Sequence, residues 1–413
     1  MFRKTQFRSF ISTRLSLELA FASRDVPMRV SHRLRGRRMK TALGLLIGPL
    51  VVLPATARAV TYNITDLGNL GGASYADGIN NSGQIVGYSY LSDGVTLHAF
   101  EYAGGVMTDL NPVLGGTNSA AYGINDAGQV VGEDSTPNAG DGYTGYSNES
   151  SFVKTGGTVT QIAPLPGGYT GGFATAINNS GQVVGESFTY NPSNGQLFPY
   201  EAYKYSGGNL TDLGNLGVGN SQAAGINSSG QIVGNSYTSD NSDRAFLYSG
   251  SGPMTDLGSI TGPGTGASYA YAINNAGQIT GQSSGGVGGN YDAFLDYGGV
   301  MTDLGNLGGN SEGWAINSSG QVVGDSILSD GITDDAFLYS GGTMYDLNSL
   351  IPADSDWQLT AAYGINDEGD IVGYGINPLG QTDAFELTPL PEPTSLGLIG
   401  AAGLFAARRR QRA

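Results

Sequence analysis

The chain has 413 residues, a formal net charge of −16 and no cysteine, so disulfide frameworks and thiolate metal sites are excluded. Between Val60 and Leu390 the only basic residues are Lys154, Lys204 and Arg244, against 32 Asp and Glu. That balance repels nucleic acid and anionic lipid, and no nucleic-acid partner is expected.

Residues 1–40 hold 11 of the 19 Lys and Arg. An apolar run follows over 41–53, then Ala57-Arg58-Ala59. A basic stretch, an apolar stretch and a small-x-small site are the parts of a signal peptide. Residues 1–59 are therefore read as a signal peptide cut after Ala59, with Ala57 and Ala59 as the cleavage residues. Met39-Lys40 would start such a peptide alone, which places the true start at Met39 and makes 1–38 an upstream extension. The other reading is a first membrane anchor, for which the run is short against a span of about 20 residues.

Residues 60–388 are a repeat domain. Ile79-Asn80-Asn81-Ser82-Gly83-Gln84-Ile85-Val86-Gly87 returns in varied form at Ile124, Ile177, Ile226, Ile273, Ile316 and Ile365, spaced by 43 to 53 residues. Each unit has four pieces. In the first unit, piece a ends in Gly78-Ile79-Asn80, piece b is Gln84-Ile85-Val86-Gly87-Tyr88-Ser89, piece c is His98-Ala99-Phe100-Glu101-Tyr102, and piece d is Val106-Met107-Thr108-Asp109-Leu110. Short alternating apolar runs bounded by Gly, Asn and Ser predict strands. Gly83 and its equivalents supply the positive φ of a tight a–b turn, and Asn80 and its equivalents fix that turn through the side chain. The functional alternative for those asparagines is a ring of seven amides that binds a ligand.

Four strands per unit, seven units and about 48 residues per unit predict an all-β, seven-bladed β-propeller of four-stranded blades. The alternative is a β-solenoid. Tyr62-Asn63-Ile64-Thr65-Asp66-Leu67 is a piece d with no piece c before it, and Asp383-Ala384-Phe385-Glu386-Leu387 is a piece c with no piece d after it. Pairing the two would complete the last blade with the N-terminal strand and cover two open edges. One chain then closes the ring, and a monomer is expected.

The units resemble the extracellular HAF-type repeat, which stands in full at His98-Ala99-Phe100 and elsewhere departs at its first residue. His98 is therefore read as a surface or strand-edge residue. Residues 389–413 resemble the PEP-CTERM sorting signal of Gram-negative bacteria: Pro391-Glu392-Pro393, an apolar stretch over 395–407, then Arg408-Arg409-Arg410. The resemblance implies recognition by an exosortase-type membrane enzyme. It also implies transient tethering by the tail and delivery to the cell surface or extracellular matrix, often beside exopolysaccharide. Pro391, Glu392 and Pro393 would then be the sorting motif.

Two places are candidates for function. The b–c connections vary in length and carry Asp93, Asp134, Asp141, Asp240, Asp243, Asp330, Asp334 and Asp335; oxygen-rich loops suit Ca²⁺, the one cofactor considered. The residue two before each piece-a Ile is Asp77, Tyr122, Thr175, Ala224, Tyr271, Trp314 or Tyr363. Tyr122, Tyr271, Trp314 and Tyr363 could stack on sugar rings near the axis, or pack between blades because they share a strand face with the Ile. No nucleophile elbow, phosphate loop or HExxH motif is present. The expected function is thus an exported, surface- or matrix-associated propeller that is not an enzyme and binds exopolysaccharide, a surface protein or cations. The alternative is a propeller glycosidase or lyase with carboxylates in the channel.

Overall fold

A computed structural model of the protein describes residues 60–135, 149–191 and 196–391. Ala57, Ala59, Asp141, Glu392 and Pro393 lie outside the described residues. Among those described, no helix is long and apolar enough to cross a membrane.

The strands follow the repeat. β1 (Tyr62–Asp66) precedes a first blade of β2 (Ser74–Ile79), β3 (Ile85–Tyr90), β4 (Leu97–Ala103) and β5 (Val106–Asp109). The second comprises β6 (Asn118–Ile124), β7 (Val130–Ser135), β8 (Glu149–Thr155) and β9 (Thr158–Ile162). The third is β10 (Gly171–Ile177), β11 (Val183–Asn191), β12 (Gln196–Ser206) and β13 (Asn209–Asp212). Then come β14 (Ser221–Ile226), β15 (Ile232–Tyr237), β16 (Asp243–Tyr248) and β17 (Thr255–Asp256). The fifth is β18 (Ser268–Ile273), β19 (Ile279–Ser284), β20 (Tyr291–Asp296) and β21 (Met301–Asp303). The sixth is β22 (Gly308–Ile316), β23 (Val322–Leu328), β24 (Asp334–Ser340) and β25 (Thr343–Asp346). The last holds β26 (Gln358–Ile365), β27 (Ile371–Ile376) and β28 (Thr382–Pro389), and β1 is its fourth strand.

All seven sheets are antiparallel and four-stranded, and each inner strand touches the inner strands of both neighbouring sheets, β26 against β2 included. The ring is closed: a seven-bladed β-propeller, not a solenoid. Closure uses the N-terminal strand. β1 pairs β28 from Tyr62 opposite Pro389 to Asp66 opposite Phe385, and Leu390 N–H donates to Thr61 O at 2.8 Å. Tyr62 is 1% exposed, and burial, with the charge of Asp370, pushes its phenol up to about 12.

The motif is explained by one backbone feature. Every inner strand carries a β-bulge, between Ala76 and Gly78 in β2 and at the equivalent place in the others. The bulge bends the strand and leaves one residue unpaired. It brings the Tyr75 carbonyl oxygen over Gly87, where a Cβ would overlap it; Gly132, Gly185, Gly234, Gly281, Gly324 and Gly373 meet the same obstacle. The Phe100 ring crowds the same Cβ position, at 3.0 Å. The Gly after Val or Thr is thus required by close approach of backbone and ring.

Core packing lies between blades. Phe100, fully buried, packs with Ala76 and Ile85 of its own blade and Val372 and Ala384 of the last. Each such aromatic contributes about 1.5–3 kcal/mol by leaving water. The Ala before it is small because the next blade's first strand lies over it. Ala99 N–H donates to Ser119 Oγ at 2.9 Å, Ala245 N–H to Ser268 Oγ at 2.9 Å, and Ala384 N–H to Ser74 Oγ at 2.8 Å.

Candidate functional site

The ring has two ends. One carries the a–b and c–d turns, the other the b–c and d–a connections. At the turn end, Asn80 Oδ1 accepts from Ser82 N–H (3.0 Å) and Gln84 N–H (2.9 Å), while Nδ2 donates to Gln84 Oε1 (2.8 Å) and to Asn125 O of the next blade (3.0 Å). The inter-blade bond repeats from Asn125 to Asn178 O, and so on to Asn366, which donates to Asn80 O at 3.4 Å. The seven bonds form a closed belt. Six of the amides make two donor and two acceptor bonds, the full capacity of the group, and Asn366 donates twice and accepts from Asp370 N–H, so the belt is structural and not a ring of ligand-binding amides. Outside it lies an open well of about 190 Å³, lined by Asn81, Asp126, Asn179, Asn275, Asp367 and neighbouring residues.

The connection end is different. Asp77, Tyr122, Thr175, Ala224, Tyr271, Trp314 and Tyr363 are the bulged residues, so they do not share a regular strand face with the following Ile. The bulge re-aims them toward the second strand. Tyr122 O–H donates to Glu133 Oε1 (2.8 Å), Trp314 Nε1–H to Asp325 Oδ1 (2.6 Å), and Gln282 Nε2–H to Tyr271 Oη (2.7 Å). The partners occupy one repeat position, the residue after the close-approach Gly: Tyr88, Glu133, Glu186, Asn235, Gln282, Asp325 and Tyr374, all buried. Sequence reasoning missed this position. Its signal was present, since it is the variable residue directly after a nearly constant motif.

Together these positions form a two-sided belt. Tyr271 stacks on Trp314 (4.3 Å between ring centres), Trp314 meets Tyr363 edge-on (5.7 Å), Tyr363 leads to Tyr374 (5.8 Å), Tyr374 to Tyr75 (4.8 Å) and Tyr75 to Tyr88 (5.0 Å). This arc spans the fifth, sixth, seventh and first blades and bridges three blade interfaces. Tyr271 and Tyr363 are buried in it, whereas Trp314 and Tyr122 keep part of their surface exposed. The opposite arc is acidic. Glu186 Oε1 accepts from Gln222 Nε2 at 3.4 Å, and burial, then the charge of Glu133, pushes the Glu186 carboxyl up to about 8. Asp134 is pushed up to about 6 by burial, with Glu133 adding to it, despite a 3.0 Å bond from Gln161 Nε2. Toward the connections, Tyr269 O–H donates to Asp243 Oδ2 at 3.0 Å. Burial, first among the causes, raises the phenols of Tyr200, Tyr269 and Tyr291 above their usual range.

The calcium candidates are not brought together. Asp93 accepts from Val95 N–H, Thr96 N–H and Thr96 Oγ1 at 2.9, 2.8 and 2.5 Å, and Asp330 repeats this with Ile332 and Thr333. Asp240 accepts from Thr238 Oγ1 and Ser242 N–H. These donors, led by the threonine hydroxyl, hold all three carboxyls below their usual range. Asp134, Asp243 and Asp334 stand in strands, not loops. Among the described residues no three His, Asp or Glu side chains converge as a metal group.

His98 is not a surface residue. Its side chain is 15% exposed, with Nδ1 2.8 Å from Asp109 Oδ2 and Nε2 3.1 Å from Asn111 Nδ2. The first residue of piece c stands beside the Asp of piece d. In the fourth blade Arg244 takes the place, with Nε 3.9 Å from Asp256 Oδ2. The second blade has Ser150 there; in the third, fifth, sixth and last blades the residue is acidic, and burial first, then the neighbouring carboxylate, raises Glu201, Asp335 and Asp383.

No protein-family model and no curated protein matches the chain. Solved structures do. A puromycin hydrolase is 12% identical over 76% of this chain and 52% of its own, with a TM-score of 0.49; the chain spans about half of that protein's length. A gluconolactonase from Xanthomonas campestris is 12% identical over 80% of this chain and 90% of its own, TM-score 0.38. A lectin from Burkholderia pseudomallei is 11% identical over 80% and 98%, TM-score 0.41. At these identities the likeness is one of fold alone. It corrects one expectation. Two of the three are enzymes by name, so the fold is compatible with catalysis, and the reading that the chain is not an enzyme does not stand.

Proposed function

We propose that the protein is an exported, surface- or matrix-associated propeller that binds polysaccharide at the connection end of its ring. The observation that carries this is the continuous aromatic arc from Tyr271 through Trp314 to Tyr88. Aromatic faces suit the C–H faces of sugar rings, and phenols and carboxylates suit hydroxyls. Trp314 and Tyr122, partly exposed, are the contact residues. Export rests on the signal peptide and the sorting tail. β28 runs toward the turn end, where Pro389 lies beside Gly369 of an a–b turn. A tether there leaves the aromatic end facing away from the membrane.

Glycan-array binding followed by calorimetry tests the reading. Trp314→Ala should weaken oligosaccharide binding by about tenfold, the worth of one stacked ring. Absence of binding to every saccharide class contradicts it. The same samples, assayed for new reducing ends, test cleavage, a second reading favoured by the raised carboxyl of Glu186 beside Glu133. Mass spectrometry of surface material should find a chain that begins at Val60 and lacks residues 408–413; intact protein confined to the cytoplasm overturns export.

A further inference from the structure

The two arcs differ in what they offer a sugar, and the difference restricts which polysaccharide fits. The aromatic arc recognises rings in general. The acidic arc does not: Glu133 and Glu186 occupy one repeat position in adjacent blades, both buried, and their charges act on each other. Glu186 is 4% exposed, and its Oε2 has no hydrogen-bond partner among the described residues. A buried carboxyl oxygen without a partner is costly, and a cation that arrives with its own N–H groups satisfies it and favours the ionised form. The chain offers few such cations of its own. Of the three basic residues described, Lys154 bridges to Glu101 at 3.0 Å, Arg244 lies by Asp256, and Lys204 stands opposite Thr211 in β12 and β13.

Resting on the polysaccharide reading above, we infer that the ligand is an amino-sugar polymer carrying free ammonium groups, with a sugar ring on the Trp314 side and an ammonium on the Glu133–Glu186 side. A uronic-acid polymer is the opposite case. It would bring no cation to the Glu186 carboxyl and would meet a strongly acidic domain almost without positive charge, and repulsion disfavours it. A neutral glucan engages the aromatic arc but leaves Glu186 Oε2 as it is. The raised Glu186 carboxyl agrees with a site in which positive charge is missing, since a bound ammonium would favour the ionised form.

Calorimetry of the purified protein at 0.15 M salt, with four hexasaccharides, decides the matter: a glucosamine oligomer, its fully N-acetylated form, cellohexaose and an oligouronate. The glucosamine oligomer should bind about tenfold tighter than the N-acetylated one, the worth of a charge-assisted hydrogen bond. Glu186→Gln should remove that preference while cellohexaose binding stays unchanged. Asp126→Asn, at the other end of the ring, should leave the preference intact. Equal binding of the two amino-sugar oligomers, tightest binding of the oligouronate, or an equal loss in Asp126→Asn and Glu186→Gln each overturns the amino-sugar inference and leaves the polysaccharide reading standing. Failure of all four to bind overturns the polysaccharide reading itself.

Discussion

Asn80 and its six counterparts set the scale at which this ring is held together. One amide closes its own turn and ties that turn to the next blade, so its loss removes four hydrogen bonds. Asn227→Ala should lower stability by about 1–3 kcal/mol, because Asn274 O and two turn N–H groups lose their partner; denaturant unfolding measures it. The turn role was readable from Asn three residues before Gly. The bond to the next blade was not, because a sequence does not show which carbonyl lies across an interface. Glu186 is the second case. Its native pKa, raised to about 8, exceeds the ordinary carboxylate value, so between about pH 4.5 and 8 the folded state holds a proton that the unfolded state has released. Its contribution to stability is therefore full below that window, falls as pH rises through it and is level above. Glu186→Gln should flatten that part of the curve of melting temperature against pH. An unchanged slope would show that the carboxyl is not buried as described.

The strand is the level at which the repeat was most legible and also where one reading failed. Short alternating runs between Gly-rich turns gave four strands per blade, and the observed β2 to β5 lie within a residue or two of the pieces read from the motif. The bulge was hidden, because an extra residue in β2 leaves the composition of the strand unchanged. A regular strand places Asp77 and Ile79 on one face; the bulge separates them, and aims Tyr122, Trp314 and Tyr271 at the side chains of β7, β23 and β19. The trace it did leave is the Gly opposite. Gly234→Ala should cost at least about 3 kcal/mol, since the new methyl overlaps the Gln222 carbonyl and the Phe246 ring. Gly83→Ala, where a Cβ meets nothing but φ is +71°, should cost less. Thermal unfolding of the two variants checks the order.

For the whole molecule, closure and function are separate matters. The unmatched strand at Tyr62–Asp66 and the unmatched strand at Thr382–Pro389 made closure readable, since each lacked the partner that the other supplies. Removing residues 60–66 should therefore lower the melting temperature far more than removing residues 136–142, which lie outside the described residues; equal effects would show that β1 does not complete the ring. Function was less legible, because the belt that distinguishes one blade from another is assembled from two strands and several blades. The central claim is that uniform positions hold the ring and varied ones at its connection end bind sugar. Hydrogen–deuterium exchange of the protein with and without a saturating oligosaccharide tests this most directly. Protection is expected in the segments bearing Tyr75, Tyr88, Trp314 and Tyr363, with the turns at Asn81, Asp126 and Asp367 unchanged. Protection confined to those turns, or none under saturation, would contradict the account.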